Sequence, residues 1–204
     1  MEKPKTIHKI TNTDYPILET IKNRWSPRVF SEEPIAEKEV KILLEAGRWA
    51  PSASNIQPWR IIWGNKGTDT YDRIFNCLDE YNQLWAGNSQ VLWLNAFKKT
   101  TEKKDMENFH ALHDLGLFMG NVLQQANSMG IAVHQMAGLR FKDAKKEFQF
   151  TEDYHVATAV AFGYYGGNLN KLSEYLQKRE LTEIRTRKSQ NEFAFNGNFQ
   201  NEND

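Results

Sequence analysis

Three short stretches of the chain concentrate side chains that could do chemistry. One is Ala50-Pro51-Ser52-Ala53-Ser54-Asn55-Ile56-Gln57-Pro58-Trp59. Its prolines and small residues exclude helix, because proline fixes φ, lacks an N–H and pushes its predecessor toward extended backbone. Ser52, Ser54, Asn55 and Gln57 set short hydrogen-bonding side chains close together, with an indole just behind. Such a surface suits the rim of a planar heteroaromatic, although a plain helix-to-strand connection is built from the same residue types. A second stretch, Arg24-Trp25-Ser26-Pro27-Arg28-Val29-Phe30, flanks a serine with arginines. Planar, permanently charged donors and a hydroxyl suit a phosphate or an anionic ring edge, and equally a solvated basic loop. The third, Arg185-Thr186-Arg187-Lys188-Ser189, carries three positive charges in four positions.

Other reactive residue types carry less. Cys77 is the single cysteine. It excludes an internal disulfide and a Cys-rich zinc site, and fits a reducing compartment. Within Tyr71-Asp72-Arg73-Ile74-Phe75-Asn76-Cys77-Leu78 it follows a helical pattern, so a buried structural thiol is expected. His110 and His113 sit at i, i+3 beside Asp114, but no third ligand accompanies them. They read as surface or interface histidines, and no metal site is expected.

The elements that must position these stretches follow from periodicity. A polar arm over 1–13 precedes a helix from Tyr15 to about Asn23, with Ile17, Leu18 and Ile21 at helical spacing. A second helix, from about Ala36 to Trp49, delivers the Pro51–Trp59 loop, and Arg60 to Trp63 reads as a strand. Thr70 to about Leu84 is amphipathic and carries Asn82, ahead of an apolar strand at Val91-Leu92-Trp93-Leu94. Lys98 to Asn108 reads as a charged excursion. Phe109 to Gly130 is the clearest helix, with Leu112, Leu115, Leu117, Phe118, Val122, Leu123 and Ala126 at core-facing intervals and Gly130 at its C′ position. Gly116 and Gly120 inside it cost about 1 kcal/mol each against alanine, which points to close helix approach. An extended run from Ile131 leads to the turn at Ala137-Gly138. Phe141 to Phe150 reads as a short helix, and Val156 to Tyr164 as a central strand buried on both faces. Asn168 to Arg179 is polar, and Phe193 to Phe199 alternates apolar residues as a strand would.

With 204 residues, 40% hydrophobic and 25% charged, the chain fits one α+β domain over 1–204. Lys+Arg and Asp+Glu both number 26. The balance gives no general attraction to nucleic acid or anionic membrane. No apolar run reaches the ~18 residues of a spanning helix. The start of the chain has no signal-peptide core, so a cytoplasmic protein is expected.

Arg-x-Ser-x-Arg-x-Phe at Arg24–Phe30, Pro-Ser-x-x-Asn-x-Gln-Pro-Trp at Pro51–Trp59 and Arg-x-Arg at Arg185–Arg187 together resemble the FMN-dependent nitroreductase family. The resemblance runs in the family's order over nearly the whole chain. It implies a mostly antiparallel sheet flanked by helices and a homodimer with shared FMN sites, whose C-terminal strand (193–204) embraces the partner. It implies that Arg24, Ser26, Arg185 and Arg187, with Trp25 among them, surround the ribityl phosphate, and that Arg28 meets the N1/O2 edge of the isoalloxazine. Pro51, Ser52, Ala53, Asn55 and Gln57 would line the ring, with Asn82 at its pyrimidine edge and the backbone at Ala137-Gly138 beside N5. Ala137 stands where many members have an acidic or second small residue, which leaves the backbone N–H in place. Gly163-Tyr164-Tyr165-Gly166-Gly167 replaces the usual Gly-Tyr-Pro, so that turn is expected to be more mobile. The implied activity is hydride transfer from NAD(P)H through FMN to quinone- or nitroaromatic-type acceptors by a ping-pong route, with no catalytic side chain. Family members specialised for dehydrogenation or reductive dehalogenation, or a non-enzymatic flavin-binding protein, would carry the same marks.

Overall fold

The structure, a computed structural model, describes residue 7, residues 9–102 and residues 106–199. Parts of the expected arm (1–6 and 8), of the charged excursion (103–105) and of the tail (200–204) lie outside the described residues. In chain order the elements are β1 (Ile10–Thr11), α1 (Glu19–Asn23), α2 (Glu37–Arg48), β2 (Trp59–Asn65), α3 (Asp69–Cys77), α4 (Glu80–Ala86), β3 (Val91–Lys98), α5 (Ala111–Ser128), β4 (Ile131–Met136), α6 (Phe141–Glu147), β5 (Tyr154–Tyr164), α7 (Glu174–Leu181) and β6 (Ile184–Arg185).

Four strands form one antiparallel sheet in the order β2-β3-β5-β4, and β1 and β6 pair in parallel as a separate two-stranded ribbon. Side chains alternate across each strand, so both faces of the sheet are filled. On β3, Val91 and Trp93 enter one layer, while Leu92, Leu94 and Ala96 enter the other. On β5, Val160 and Phe162 divide from Ala159 and Ala161 in the same way. Burial on both faces explains the unbroken apolar runs of these inner strands. Helices α2 and α5 cover the Trp93 face, and α3, α4 and α6 the opposite one. The chain is therefore α+β, with an antiparallel sheet flanked by helices.

Several boundaries differ from the sequence reading. The single helix expected over Thr70–Leu84 is two, because Leu78 is extended and Asp79 starts a new helix, its carboxylate accepting the Asn82 N–H at 2.8 Å. Asn82 therefore sits inside α4, not in the approach to a strand. Helix α1 begins only at Glu19 and leaves Ile17, Leu18 and Ile21 exposed. On α5, Leu112 is not a core residue but 60% exposed. The polar stretch 168–179 holds most of α7, whose Leu176 reaches the core. Residues 193–199 form no strand with their own chain. Among the glycines of the expected mobile turn, Gly166 and Gly167 have φ of 114° and 106°. A Cβ on Gly167 would lie 2.2 Å from the Phe30 carbonyl oxygen, so the conformation itself demands glycine there.

Gly47 lets α2 and α5 close on each other. A Cβ at this position would lie 2.4 Å from the Phe118 ring, which is packed on Trp59 at 5.2 Å between centroids. Gly47→Ala is expected to destabilise the fold by about 1–3 kcal/mol from overpacking, offset by ~1 kcal/mol of helix propensity. A lower urea midpoint at unchanged slope is the expected reading. An unchanged or higher midpoint would show that Phe118 yields freely.

Candidate functional site

Phe30 anchors the first basic stretch to the sheet. The ring is buried over Gly163, where a Cβ would lie 2.7 Å from it, and the next residue, Ser31, donates its N–H to the Tyr164 carbonyl at 3.0 Å. The segment before it runs past Tyr165, whose hydroxyl lies 3.3 Å from the Trp25 carbonyl oxygen and 3.5 Å from Asn127 Nδ2 on α5. Trp25 itself packs on the Tyr165 ring at 5.7 Å and under the Lys9 ammonium at 4.5 Å.

Three arginines converge here. Arg24 donates to the Ser26 hydroxyl at 3.2 Å. Arg185 donates its two Nη groups to the Arg24 and Lys22 carbonyls, which leaves its buried Nε–H without a partner. Arg187 is exposed, with one bond to the Thr186 carbonyl at 2.7 Å. Burial, and then the neighbouring guanidinium groups, hold the pKa values of Arg24 and Arg185 below the usual range. Arginine stays charged through such shifts. Among the described residues no carboxylate pairs with these three side chains. The corner is therefore built for an anion.

A second group lies next to it. Arg28 donates its backbone N–H to Glu180 Oε1 at 2.7 Å, and its Nη1 lies 3.7 Å from Glu180 Oε2. The Glu180 side chain is 1% exposed and the Arg28 side chain 16%. Burial pushes the Glu180 pKa up, and hydrogen bonding from the Arg28 backbone and the Arg28 charge oppose that. The Arg28 guanidinium lies 5.9 Å from the Trp85 ring, and its Nε–H is buried without a partner. Trp85 packs on His134 at 4.4 Å between ring centres. His134 Nδ1 lies 2.8 Å from the Pro27 carbonyl oxygen, so this nitrogen carries the proton and donates. Burial, outweighing that hydrogen bond and joined by the Arg28 and Arg24 charges, lowers the His134 pKa to about 4. The imidazole is thus neutral at pH 7.

Asn82 and Gly138 meet as the third part. Asn82 Nδ2 donates to the Gly138 carbonyl at 3.0 Å, and the same oxygen accepts the Asp79 N–H at 3.2 Å. A Cβ at Gly138 would lie 2.0 Å from Asp79 Oδ2. A side chain at this position would have to displace the Asp79 and Asn82 groups, while Ala137 beside it stays exposed.

The Pro51–Trp59 loop lies elsewhere. Ser54, Asn55 and Gln57 take φ of 49°, 54° and 52°, left-handed conformations that cost about 1–3 kcal/mol each in a non-glycine residue. Ser52 Oγ accepts the Gln57 N–H at 3.0 Å, and the Gln57 amide donates to Asn55 Oδ1 at 3.2 Å. The Ala53 N–H binds the buried Asp114 carboxylate at 3.1 Å, at the start of α5. Pro51, Ser52 and Ala53 line a shallow cavity of about 260 Å³ with His110, His113 and Asp114. The arginine corner instead meets α5 near Asn127, through the Tyr165 hydroxyl that also reaches Trp25. From Asp114 to Asn127 the helix rises about 20 Å at 1.5 Å per residue. Within one chain the loop and the arginine corner stand at opposite ends of α5.

Known proteins share this fold. A sequence model described as the nitroreductase family matches residues 21–76, which hold the Arg24–Phe30 and Pro51–Trp59 stretches. A solved oxidoreductase containing FMN is 28% identical and superposes with a TM-score of 0.86, covering 93% of this chain and 96% of its own. Over residues 21–76 the chain is similar to the nitroreductase family, and over nearly its whole length to this FMN-containing oxidoreductase. A Streptomyces coelicolor protein named as an NADH dehydrogenase/NAD(P)H nitroreductase is 22% identical over 161 residues, 68% of this chain and 77% of its own. A nitroreductase-like protein of Desulfovibrio desulfuricans solved with FMN shares the fold at a TM-score of 0.67 and 21% identity, covering 92% and 100% of the two chains.

In this chain the expected residues thus fall into two sets. Arg24, Trp25, Ser26, Arg185 and Arg187 share one corner, with Arg28 and the Asn82–Gly138 pair adjoining. Pro51, Ser52, Ala53, Asn55 and Gln57 form the other set. Among the described residues no group of three or more His, Cys, Asp or Glu could hold a metal, and His110 and His113 are exposed. Cys77 is buried and its thiol pKa is raised by that burial. Sequence reasoning missed Glu180, His134 and Trp85. Glu180 could have been found: it continues the buried line of Leu172 and Leu176 at spacing four, as a carboxylate on an apolar stripe.

His134 imposes a pH dependence. Its pKa falls from 6.5 in the unfolded chain to about 4 when folded, so the unfolded state binds more protons between those values. Stability is fully present above pH 6.5 and declines as pH drops through that window, by on the order of 3 kcal/mol in all. His134→Asn removes the titration while keeping an N–H for the Pro27 carbonyl. Urea unfolding at pH 7, 6 and 5 is expected to show a shallower decline in the variant. Equal slopes would mean that the ring does not resist protonation.

Proposed function

We propose that the protein is an FMN-dependent oxidoreductase, using NAD(P)H as donor and a quinone- or nitroaromatic-type acceptor, and that it works as a homodimer with shared flavin sites. The observation that carries this reading is the corner of Arg24, Arg185 and Arg187 with Ser26 and no carboxylate. A ribityl phosphate suits that donor set through charge-assisted hydrogen bonds. An adenylate joined to that phosphate would reduce its charge, which favours FMN over FAD. The unpartnered Nε–H groups of Arg28 and Arg185 fit the same conclusion, since a buried donor without an acceptor costs about 1–3 kcal/mol.

Bound FMN would supply hydride transfer, accepting it from NAD(P)H and returning the electrons to the second substrate in ping-pong order. The protein's own residues divide the remaining work. Arg24, Ser26 and Arg187 would hold the phosphate, and Arg185 would fix Arg24 through its backbone. Arg28 would face the ring and stabilise negative charge there. The Asn82 amide and the Gly138 backbone would set the opposite rim. Ser52, Asn55 and Gln57 would complete the enclosure and limit water access.

That completion requires a second chain, because α5 separates the loop from the arginine corner. The surface agrees with this. Trp49 and Phe109, near the loop, are 73% and 83% exposed. Gly116 and Gly120 on α5 face open space, where a partner helix could approach closely. Obligate dimers commonly bury ~2,000–5,000 Å² of such apolar surface. Pairing of the 193–204 tail with a partner's sheet edge belongs to the same proposal. A reducing, cytoplasmic setting fits the lone buried thiol.

The purified protein is expected to be yellow, to release FMN and not FAD on denaturation, and to sediment near twice 23.7 kDa. It should oxidise NAD(P)H when a quinone is supplied. Arg24→Ala is expected to weaken FMN binding about ten- to hundredfold, the loss of one or more charge-assisted hydrogen bonds. Colourless protein that takes up no FMN would overturn the reading. Flavin uptake without turnover would leave a flavin-binding protein only, and a monomer with full FMN affinity would overturn the shared site.

A further inference from the structure

We propose that Glu180, on α7, is a positioning residue that fixes Arg28 and sets how much positive charge Arg28 presents to the flavin ring. The inference rests on the flavin reading above and adds a residue outside the basic stretches. Two contacts from one carboxylate define the role. Oε1 accepts the Arg28 backbone N–H at 2.7 Å, so the backbone is held where the side chain leaves it. Oε2 stands 3.7 Å from Arg28 Nη1, within ion-pair range but beyond a hydrogen bond. The guanidinium is therefore attracted toward α7 without being saturated, and its Nε–H has no partner among the described residues. A bidentate carboxylate would have occupied the fork instead.

The electrostatic consequence is specific to this position. Glu180 and Asp114 are the two buried carboxylates among the described residues, and Asp114 lies under the Pro51–Trp59 loop. Arg24, Arg185 and Arg187 keep their full charge for a phosphate, while Arg28 alone is opposed by a buried negative charge. At low local dielectric such a charge acts strongly over a few ångströms. Glu180 also ties down the arm, since the Lys9 ammonium donates to the Glu180 and Thr182 carbonyls. A purely structural role would affect folding or FMN retention without changing the balance between oxidised and reduced flavin.

The test is the midpoint potential of the FMN-loaded protein, read beside its affinity for oxidised FMN. Glu180→Gln keeps the acceptor for the Arg28 N–H and removes the charge. The ratio of reduced to oxidised FMN affinity is expected to rise about tenfold, a potential about 30 mV higher for a two-electron couple. Affinity for oxidised FMN should change less than threefold, because the phosphate corner is untouched. In an Arg28→Ala background the same substitution is expected to shift the potential far less. Equal potentials for wild type and Glu180→Gln would overturn the proposal, as would an undiminished shift without Arg28. Should Glu180→Gln fail to fold, Glu180→Asp withdraws the charge by one methylene and is expected to raise the potential by a smaller amount. An unchanged potential in that variant would overturn the role equally. Wild-type protein that bound no FMN would overturn the flavin reading itself, an outcome distinct from either.

Discussion

Arg185 donates its terminal nitrogens to the backbone carbonyls of Lys22 and Arg24, residues some 160 positions away in sequence. This contact joins the two ends of the chain. Beside it β1 and β6 pair in register, Thr11 opposite Arg185, and Lys9 reaches the last turn of α7. The ends thus close over one corner of the sheet, and the closure brings like charges together. Arginines gathered without a counter-charge repel each other, and burial of two of them adds a desolvation cost. A fold optimised for stability alone would place an acid there. The chain has 26 acidic residues to draw on and places none against Arg24, Arg185 or Arg187 among the described residues. Departures from local stability of this kind are expected where a ligand provides the missing charge.

Helix α5 sets the distance between the two halves of the site. Its buried stripe of Leu115, Phe118, Met119, Val122 and Ala126 binds it to the sheet, and Gly47 lets α2 lock against it. A helix held along its whole length is a rigid spacer. At one end Asp114 grips the strained Pro51–Trp59 loop, and at the other Asn127 touches the Tyr165 hydroxyl beside the arginine corner. Left-handed backbone at Ser54, Asn55 and Gln57 persists because both loop ends are fixed, by Asp114 and by the β2 ladder that begins at Trp59. The scaffold holds each half in shape but cannot bring them together. Exposed Trp49, Phe109 and Leu112, with the bare backbone at Gly116 and Gly120, form the face that the proposed dimer would cover.

Legibility in the sequence followed the physics of each element. Strands β3 and β5 were readable because burial on both faces leaves a continuous apolar run. Helix α5 was readable because its core stripe spans five turns. Boundaries set by a single capping contact were not: the break between α3 and α4 depends on Asp79 accepting the Asn82 N–H, a contact that periodicity does not reveal. Exposed Leu112 was misread for a related reason. Its spacing matches a core stripe, and only the packing shows which stripe faces the sheet. Of the site, the basic stretches and the polar loop were legible because they gather unusual residue types locally. Glu180, His134 and Trp85 come from three separate elements and meet only through the fold.

These three residues also explain how one basic region can serve two chemical ends. A phosphate is already charged and needs permanent cations. A ring that gains charge during reaction needs a donor whose field differs between its two states. Arg28 would suit the second task because it is opposed by Glu180 and set beside a neutral imidazole and the Trp85 ring. A protonated His134 would add a further cation beside Arg24 and Arg28. Burial prevents that at neutral pH, so His134 adds no charge to the group of Arg28, Glu180 and the neighbouring Lys9. On the proposed flavin reading, the phosphate end would be governed by the number of charges and the ring end by their balance.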